Sequence, residues 1–186
     1  MMKRKIWIVP FVIICFFQIG SALAADFEFR VGPDDVLEIS VWRDESLSRD
    51  VIVPPDGIIS FPLIGDINVN NMTISELRVQ VTKKLIEFIP DATVTVILKE
   101  MKSLRAYVIG KVQNAGEYTI SLDTTVMQLL AKAGGLNPYA SENKIHIIRQ
   151  TKGRTLKIPF DYGDIVKGRN LEQNIVLKRG DVIVVP

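Results

Sequence analysis

The sequence predicts an α+β protein made of two small units, and two observations carry this prediction. Short runs in which apolar and polar residues alternate are separated by turn signals such as Asp-Gly and Gly-Gly, a pattern typical of strands. In each half, one longer segment instead repeats its apolar residues every three or four positions behind a capping box, which predicts one helix. Several strands with a single helix in each half favour α+β over a doubly wound sheet.

The strands of the first half are predicted from this alternation. Residues 36–42 place Leu37, Ile39 and Val41 on one side of a strand. Residues 51–53 lead into the turn at 54–57, and residues 58–61 are expected to return as the second strand of that hairpin, because Asp-Gly favours a reversal. Residues 93–98 alternate in the same way and predict a further strand.

The helix of the first half is predicted over residues 73–89. Thr73 and Glu76 form the capping box at its start, and Pro90 ends it because proline cannot continue a helix. Its predicted buried face consists of Ile74, Leu77, Val81, Leu85 and Phe88. Burial of such side chains contributes roughly 1.5–3 kcal/mol each before entropy, so we expect this helix to belong to a core.

The second half is expected to begin after Lys102. A short helix starts at Thr124 or Thr125, where Thr125 and Gln128 form a second capping box, and Gly134-Gly135 ends it. Its predicted inner face consists of Val126, Leu129, Leu130 and Ala133. Strands are predicted at residues 105–109, 118–120, 145–148, 156–158, 175–177 and 182–185, with a turn at 114–116.

The N-terminus has the pattern of a secretory signal peptide. A basic start at residues 1–5 precedes an apolar run at 6–19 and an Ala-x-Ala end at Ala22 and Ala24, which predicts cleavage after Ala24. A membrane anchor is the alternative, but the run is shorter than the ~20 residues that span a bilayer and contains Pro10. Cys15 would be removed with the signal, and export without disulfides fits a periplasm-like compartment.

The composition excludes several classes of function. With 1 Cys and 1 His, the chain cannot form a disulfide framework or the usual His/Cys zinc sites. A near-neutral chain argues against nucleic acid as a partner. His146 is interpreted as an exposed strand residue, and the acidic pairs lie in turn-like contexts where Asp caps backbone groups; these pairs are Asp34/Asp35, Asp44/Glu45 and Asp161/Asp164. No phosphate-binding loop motif occurs. The prediction is therefore a protein that is not an enzyme and binds no cofactor or metal.

A set of motifs, in order along the chain, resembles the bacterial polysaccharide biosynthesis/export proteins. The first unit carries the family's opening and helix-start motifs, and the second resembles the start and later parts of a soluble-ligand-binding β-grasp (SLBB) domain. The matching segments are residues 29–42, 53–57, 61–65, 73–78, 108–112, 115–118, 133–136 and 177–183. After the predicted signal peptide at 1–24, the resemblance implies a polysaccharide export domain at 25–102 and a β-grasp-like domain at 103–186.

The resemblance also implies a function and its partners. It predicts a periplasmic component, associated with the outer membrane, of capsular or exopolysaccharide export, which forms or caps a translocation passage. The expected partners are further copies of the chain in a ring, an inner-membrane polysaccharide co-polymerase and the polysaccharide cargo. The sequence shows neither an acylatable Cys after the signal nor an amphipathic C-terminal helix, so a separate outer-membrane protein is expected above it. The alternative is a β-grasp scaffold or sensor that binds a glycan or another ligand without transporting it.

The candidate site residues fall into two groups. The family-motif residues, expected to be chiefly structural, are Gly32, Asp35, Asp56, Gly57, Gly65, Gly110, Gly116, Tyr118, Gly134, Gly135, Gly180 and Asp181. Aromatic residues that could contact a glycan or a neighbouring subunit are Trp42, Phe61, Tyr107 and Tyr139, with core packing as the alternative.

Two further features concern charge and repetition. The charges of Lys99, Glu100, Lys102 and Arg105 are interpreted as a solvated face, with contact to another subunit or an anionic polymer as the alternative. Residues 31–37 and 178–183 also resemble each other, since Gly and Asp precede a β-rich run in both. Either the two halves share related turn chemistry, or the similarity reflects only the residues that commonly lead from a turn into a strand.

Overall fold

The structure is a computed structural model that describes residues 28–151 and 153–186 of the 186-residue chain. The predicted signal segment and its cleavage site after Ala24 lie outside these ranges. Two hydrophobic cores are present, one formed by residues between Val31 and Val96 and the other by residues between Leu104 and Val185. We call the surrounding structures the first and second units. The predicted α+β class is confirmed.

The first unit contains two small sheets and one helix. Its elements are β1 (Val36–Val41), β2 (Asp44–Ile52), β3 (Ile58–Phe61), β4 (Gly65–Asn68), α1 (Ile74–Leu85) and β5 (Val94–Glu100). β1 lies between β2 and β5 and pairs antiparallel with both, while β3 and β4 form a separate hairpin. The alternation predicted for β1 is confirmed, since Leu37, Ile39 and Val41 are all buried in the first core.

The predicted hairpin between residues 51–53 and 58–61 is wrong. β2 pairs with β1, and β3 turns back at Leu63 and Gly65 to pair with β4. The turn at 54–57 does form, with the Gly57 N–H donating to the Pro54 carbonyl. However, Pro54 and Pro55 have no N–H groups with which to continue a ladder, so the strands on either side of them separate into different sheets.

The predicted start of α1 is confirmed and its predicted end is wrong. Thr73 accepts a hydrogen bond from the Glu76 backbone, and the Glu76 carboxylate accepts one from the Thr73 backbone. The helix ends at Leu85, and the N–H groups of Phe88 and Ile89 both bond to the Leu85 carbonyl in a closing turn. Phe88 therefore leaves the helical spacing and is 55% exposed, although it was predicted to be buried.

The second unit contains one mixed sheet that packs against helices. Its elements are β6 (Arg105–Gly110), β7 (Gly116–Thr119), α2 (Val126–Lys132), β8 (Ile145–Thr151), β9 (Arg154–Phe160), α3 (Tyr162–Val166), a 3₁₀ turn (Leu171–Gln173) and β10 (Val182–Val185). The strand order is β7-β6-β10-β8-β9, and β10 lies parallel to β6 and antiparallel to β8. The capping box of α2 and its buried inner face are as predicted.

Two predictions for the second unit need correction. The strand predicted at 175–177 is reduced to a single bridge between Val176 and Thr125, because its backbone bonds to the turn that precedes α2. The expectation of one helix in this half is also wrong, since α3 adds a second. At 5 residues α3 is too short to show a helical period in sequence, and Asp161 caps it by accepting from the Asp164 N–H.

The helices of the described ranges are short. α1 is the longest at 12 residues, and none of them could span a bilayer.

Candidate functional site

The two units meet through three segments, at residues 32–35, 102–105 and 178–181, which we call the junction. The first segment precedes β1, the second connects β5 to β6, and the third precedes β10. Four of the predicted motif residues lie in it: Gly32, Asp35, Gly180 and Asp181. The junction therefore combines the opening motif of the first unit with the closing motif of the second.

Asp35 is a fully buried carboxylate that ties the first unit to the connecting segment. Its Oδ2 accepts from the Gly32 backbone N–H at 2.9 Å. Its Oδ1 accepts from the backbone N–H groups of Lys102 at 2.9 Å and Ser103 at 2.7 Å. Hydrogen bonds to a charged acceptor are shorter and stronger than neutral ones. Asp35 therefore contributes to the junction through backbone groups that lie 67 and 68 residues away.

Asp181 repeats part of this arrangement in the second unit. It is also fully buried, and its Oδ2 accepts from the Lys178 N–H at 2.8 Å, again three residues earlier in the chain. Its other partner is different, because the Arg149 guanidinium binds it through two N–H groups at 2.9 and 2.6 Å. The two similar sequence segments thus share one local hydrogen bond and differ in the group that each carboxylate recruits.

Arg179 connects the second unit back to the first. Its Nη2 donates to the Arg30 carbonyl and to the Ser103 Oγ, both at 2.7 Å. Its guanidinium lies against Gly32, where a Cβ atom would overlap it, so the absence of a side chain at this position makes the close approach possible. Partial burial lowers the pKa of Arg179, and the Asp35 carboxylate acts in the opposite direction.

The charged residues near the junction form ion pairs within the chain. Lys99 lies 3.0 Å from Asp50 and 3.5 Å from Glu38, across the sheet of the first unit. The hydrogen bond to Asp50 is the largest cause of a raised pKa for Lys99. Lys102 pairs with Glu100, and Arg105 pairs with Asp34 and Glu117 at 3.3 and 3.2 Å. Each of these side chains keeps 31% or more of its surface exposed.

The other motif residues serve turns within one unit. Asp56 accepts from the Ile58 N–H, Gly57 and Gly65 belong to the turns on either side of β3, and Tyr118 donates to the Asn114 carbonyl. Gly134 and Gly135 follow α2, and Gly116 begins β7. Gly110 ends β6 at a φ of 97°, where a Cβ atom would overlap the Val185 carbonyl oxygen.

The four candidate aromatic residues are dispersed. Trp42 and Tyr139 are 72% and 81% exposed, and Tyr107 is 37% exposed. A hydrogen bond to Glu117 is the largest cause of the raised pKa of Tyr107. Phe61 is only 3% exposed, inside the first core. Phe61 is therefore removed from the candidate glycan contacts, because a buried ring has no face on which a sugar could stack.

The remaining side chains that were considered for catalysis lie on different elements, and each makes its own local contacts. The His146 Nδ1 lies 3.2 Å from the Lys144 carbonyl oxygen on β8, Asp161 caps α3, and Asp35 is occupied by backbone groups. Within the described ranges, no three His, Cys, Asp or Glu side chains form a group that could hold a metal ion.

Sequence reasoning missed Arg179 and Ser103 as site residues. Arg179 was visible next to the Gly180-Asp181 motif, but its two acceptors lie 149 and 76 residues away in the chain. Its local sequence contains no signal for either partner.

Comparison with known proteins now gives the family. Residues 23–99 match the family described as "Polysaccharide biosynthesis/export protein", and residues 105–159 match the SLBB domain. The chain belongs to the polysaccharide biosynthesis/export protein family. The middle segment of the junction lies at the border of the two matched ranges, since Lys102 and Ser103, whose N–H groups bind Asp35, fall between them.

Relatives within this family carry names that refer to export or production of polysaccharides. The "EPS I polysaccharide export outer membrane protein EpsA" of Ralstonia nicotianae is 28% identical over 89% of this chain and 49% of its own length. The "Exopolysaccharide production protein ExoF" of Rhizobium meliloti is 33% identical over 63% of this chain and 30% of its own length. The "Polysialic acid transport protein KpsD" of Escherichia coli is 27% identical over 64% of this chain and 22% of its own length. The chain spans about half the length of the first of these relatives.

Proposed function

We propose that this chain is a non-enzymatic component of polysaccharide export across a bacterial cell envelope. The observation that carries the proposal is the succession of an export-family match and an SLBB match along the chain. Relatives that cover most of the chain are named as outer-membrane proteins of exopolysaccharide or capsule export, which supports the same role. The cargo we propose is an exopolysaccharide or capsular polysaccharide.

In the proposed mechanism the protein encloses a route for the polymer and does not itself supply the energy for transport. Asp35 and Arg179 connect the two units through short hydrogen bonds, so that an assembly of such chains can hold both units at fixed positions. We propose that copies of the chain form a ring around a route for the polymer, and that the energy for transport comes from the inner-membrane machinery. A polysaccharide co-polymerase on that side and an outer-membrane protein on the other are the proposed partners.

The proposed location is the periplasm, in association with the outer membrane. It rests on the signal-peptide pattern and on the outer-membrane names of the relatives. We propose cleavage after Ala24, a boundary between the two units near Lys102 and a β-grasp character for the second unit. Sequencing the N-terminus of protein isolated from the periplasm tests the cleavage site, and an intact Met1 there would refute it. Native mass spectrometry of the same protein tests the ring, which a monomer at all concentrations would refute.

The decisive experiment measures polysaccharide in a clean deletion strain. Polymer is quantified separately on the cell surface and in the periplasm, with the wild-type gene supplied in trans. The proposal predicts loss of surface polymer and recovery upon complementation. Unchanged surface polymer in a strain without a paralogue would contradict export, and the ligand-binding scaffold would then become the leading function.

A further inference from the structure

A cleft of about 580 Å³ lies beside the junction and is lined by both units. Phe29, Arg30 and Asn71 line it from the first unit, and Leu104, Leu122 and residues 176–179 line it from the second. Phe29 packs against the first core and Leu122 against the second, so the walls are anchored on both sides. The cleft thus exists only while the junction holds the two units together.

The cleft carries an excess of positive charge. Arg30, Lys178 and Arg179 line it, against the single acidic residue Glu28, which lies 4.0 Å from the Arg30 guanidinium. Arg30 is also 3.7 Å from Glu76. Within residues 28–151 and 153–186, neither Lys178 nor Arg179 forms an ion pair. These two cations of the cleft can therefore bind an anion without breaking an existing ion pair.

The surroundings of Arg179 also favour the binding of an anion. Its Nη2 is bound only to uncharged acceptors, a carbonyl and a hydroxyl oxygen. Partial burial removes water from this guanidinium, and a cation with less water gains more from a new negative partner.

The remaining lining suits a sugar ring better than a small inorganic ion. Five of the ten lining residues are apolar, and the partly buried Phe29 is the aromatic residue among them. Pyranose rings combine an apolar C–H face with hydroxyl groups, so they can lie on apolar and aromatic side chains while a charged substituent reaches the cations. We propose that this cleft binds a carboxylate-bearing sugar unit of an acidic polysaccharide. The inference rests on the proposed export function for the origin of the polymer and names the chemical class of the cargo.

Binding of defined oligosaccharides to the protein purified from the periplasm tests the inference. The probes are fluorescently labelled tetragalacturonate and labelled maltotetraose, which carry and lack carboxylates, measured by anisotropy at fixed ionic strength. Galacturonic acid and inorganic phosphate serve as competitors. We expect tetragalacturonate to bind, maltotetraose to bind far more weakly, and galacturonic acid to compete better than phosphate but less well than the unlabelled tetramer.

The charge reversal Lys178→Glu provides the matched variant, because this exposed side chain lies in the cleft outside the hydrogen bonds of the junction. We expect it to weaken tetragalacturonate binding by about fivefold, the upper end of what one exposed ion pair contributes. Lys157→Glu, an equal change of charge on exposed β9, should leave binding unchanged. Equal binding of the two tetramers, equal effects of the two variants, or phosphate that competes as well as galacturonic acid would each overturn the inference.

The binding assay and the deletion strain together separate this inference from the proposed function. If the deletion strain loses surface polymer but the protein does not prefer the acidic tetramer, then the cleft inference fails and export stands. If the deletion leaves surface polymer unchanged while the acidic tetramer binds and Lys178→Glu weakens it, then export fails and a binding site for acidic sugars stands.

Discussion

The substitution Asp35→Asn tests the contacts that hold the junction together. The carboxylate of Asp35 accepts three backbone hydrogen bonds, at 2.9, 2.9 and 2.7 Å. An asparagine of the same shape can still accept the two from Lys102 and Ser103, but its NH₂ group would then face the Gly32 N–H, so two donors would meet. One charge-assisted hydrogen bond is lost, and a buried donor is left without an acceptor.

The expected cost follows from these losses. A hydrogen bond to a charged group contributes about 1.5–3 kcal/mol, and an unpaired buried donor costs about 1–3 kcal/mol. Because the remaining contacts relax in part, we expect Asp35→Asn to lower the free energy of unfolding by about 2–4 kcal/mol. For a chain of this length that corresponds to a fall in Tm of about 5–15 °C.

The neighbouring Asp34 supplies the control. Its side chain is 55% exposed and pairs with Arg105 at 3.3 Å, so Asp34→Asn should change the free energy of unfolding by less than about 1 kcal/mol. Urea unfolding followed by far-UV circular dichroism compares the two variants, and hydrogen exchange should accelerate at the Gly32 amide in Asp35→Asn alone. Equal stability of the two variants, or unchanged protection of this amide, would refute the reasoning.

Three further substitutions test other parts of the structure. Gly32→Ala should destabilise the protein by about 1–3 kcal/mol in thermal unfolding, because its methyl group would displace the Arg179 guanidinium from its hydrogen bonds to Arg30 and Ser103. Gly116→Ala meets open space, and similar Tm values for the two variants would contradict this reasoning. Arg149→Ala leaves a fully buried carboxylate without its cation and should cost about 3–5 kcal/mol in urea unfolding, a loss below about 1 kcal/mol being incompatible with the ion pair. Asp50→Asn should lower the pKa of Lys99 in an NMR titration, and an unmoved pKa would show that the contact is absent in solution.

The sign of the Lys99 effect on stability follows from linkage. Its ordinary pKa is 10.5, and the folded state raises it, so the folded protein holds the proton more tightly than the unfolded chain. The contribution of its ion pairs is therefore fully present below pH 10.5 and is lost as the pH rises through the higher folded pKa. Wild-type protein should lose more stability across this window than Asp50→Asn.

The sequence by itself determined the features that depend on near neighbours. The two capping boxes, Thr73 with Glu76 and Thr125 with Gln128, each join residues three positions apart. The sequence spacing alone therefore identifies which residues are in contact. The alternation of residues 36–41 likewise identifies which side chains of that strand are buried. The ordered family motifs were also readable, because each is a short continuous segment.

Only the tertiary structure decided which distant segments meet. Pairing of β3 with β4 instead of β2, and the insertion of β10 between β6 and β8, depend on competition among strands that have similar alternating patterns. The exposure of Phe88 depends on a turn that ended α1 early. The junction depends on contacts between Asp35, Ser103 and Arg179 that span 68 and 76 residues. A local pattern specifies that a side chain needs a partner, but the packing of the two cores determines which partner it finds.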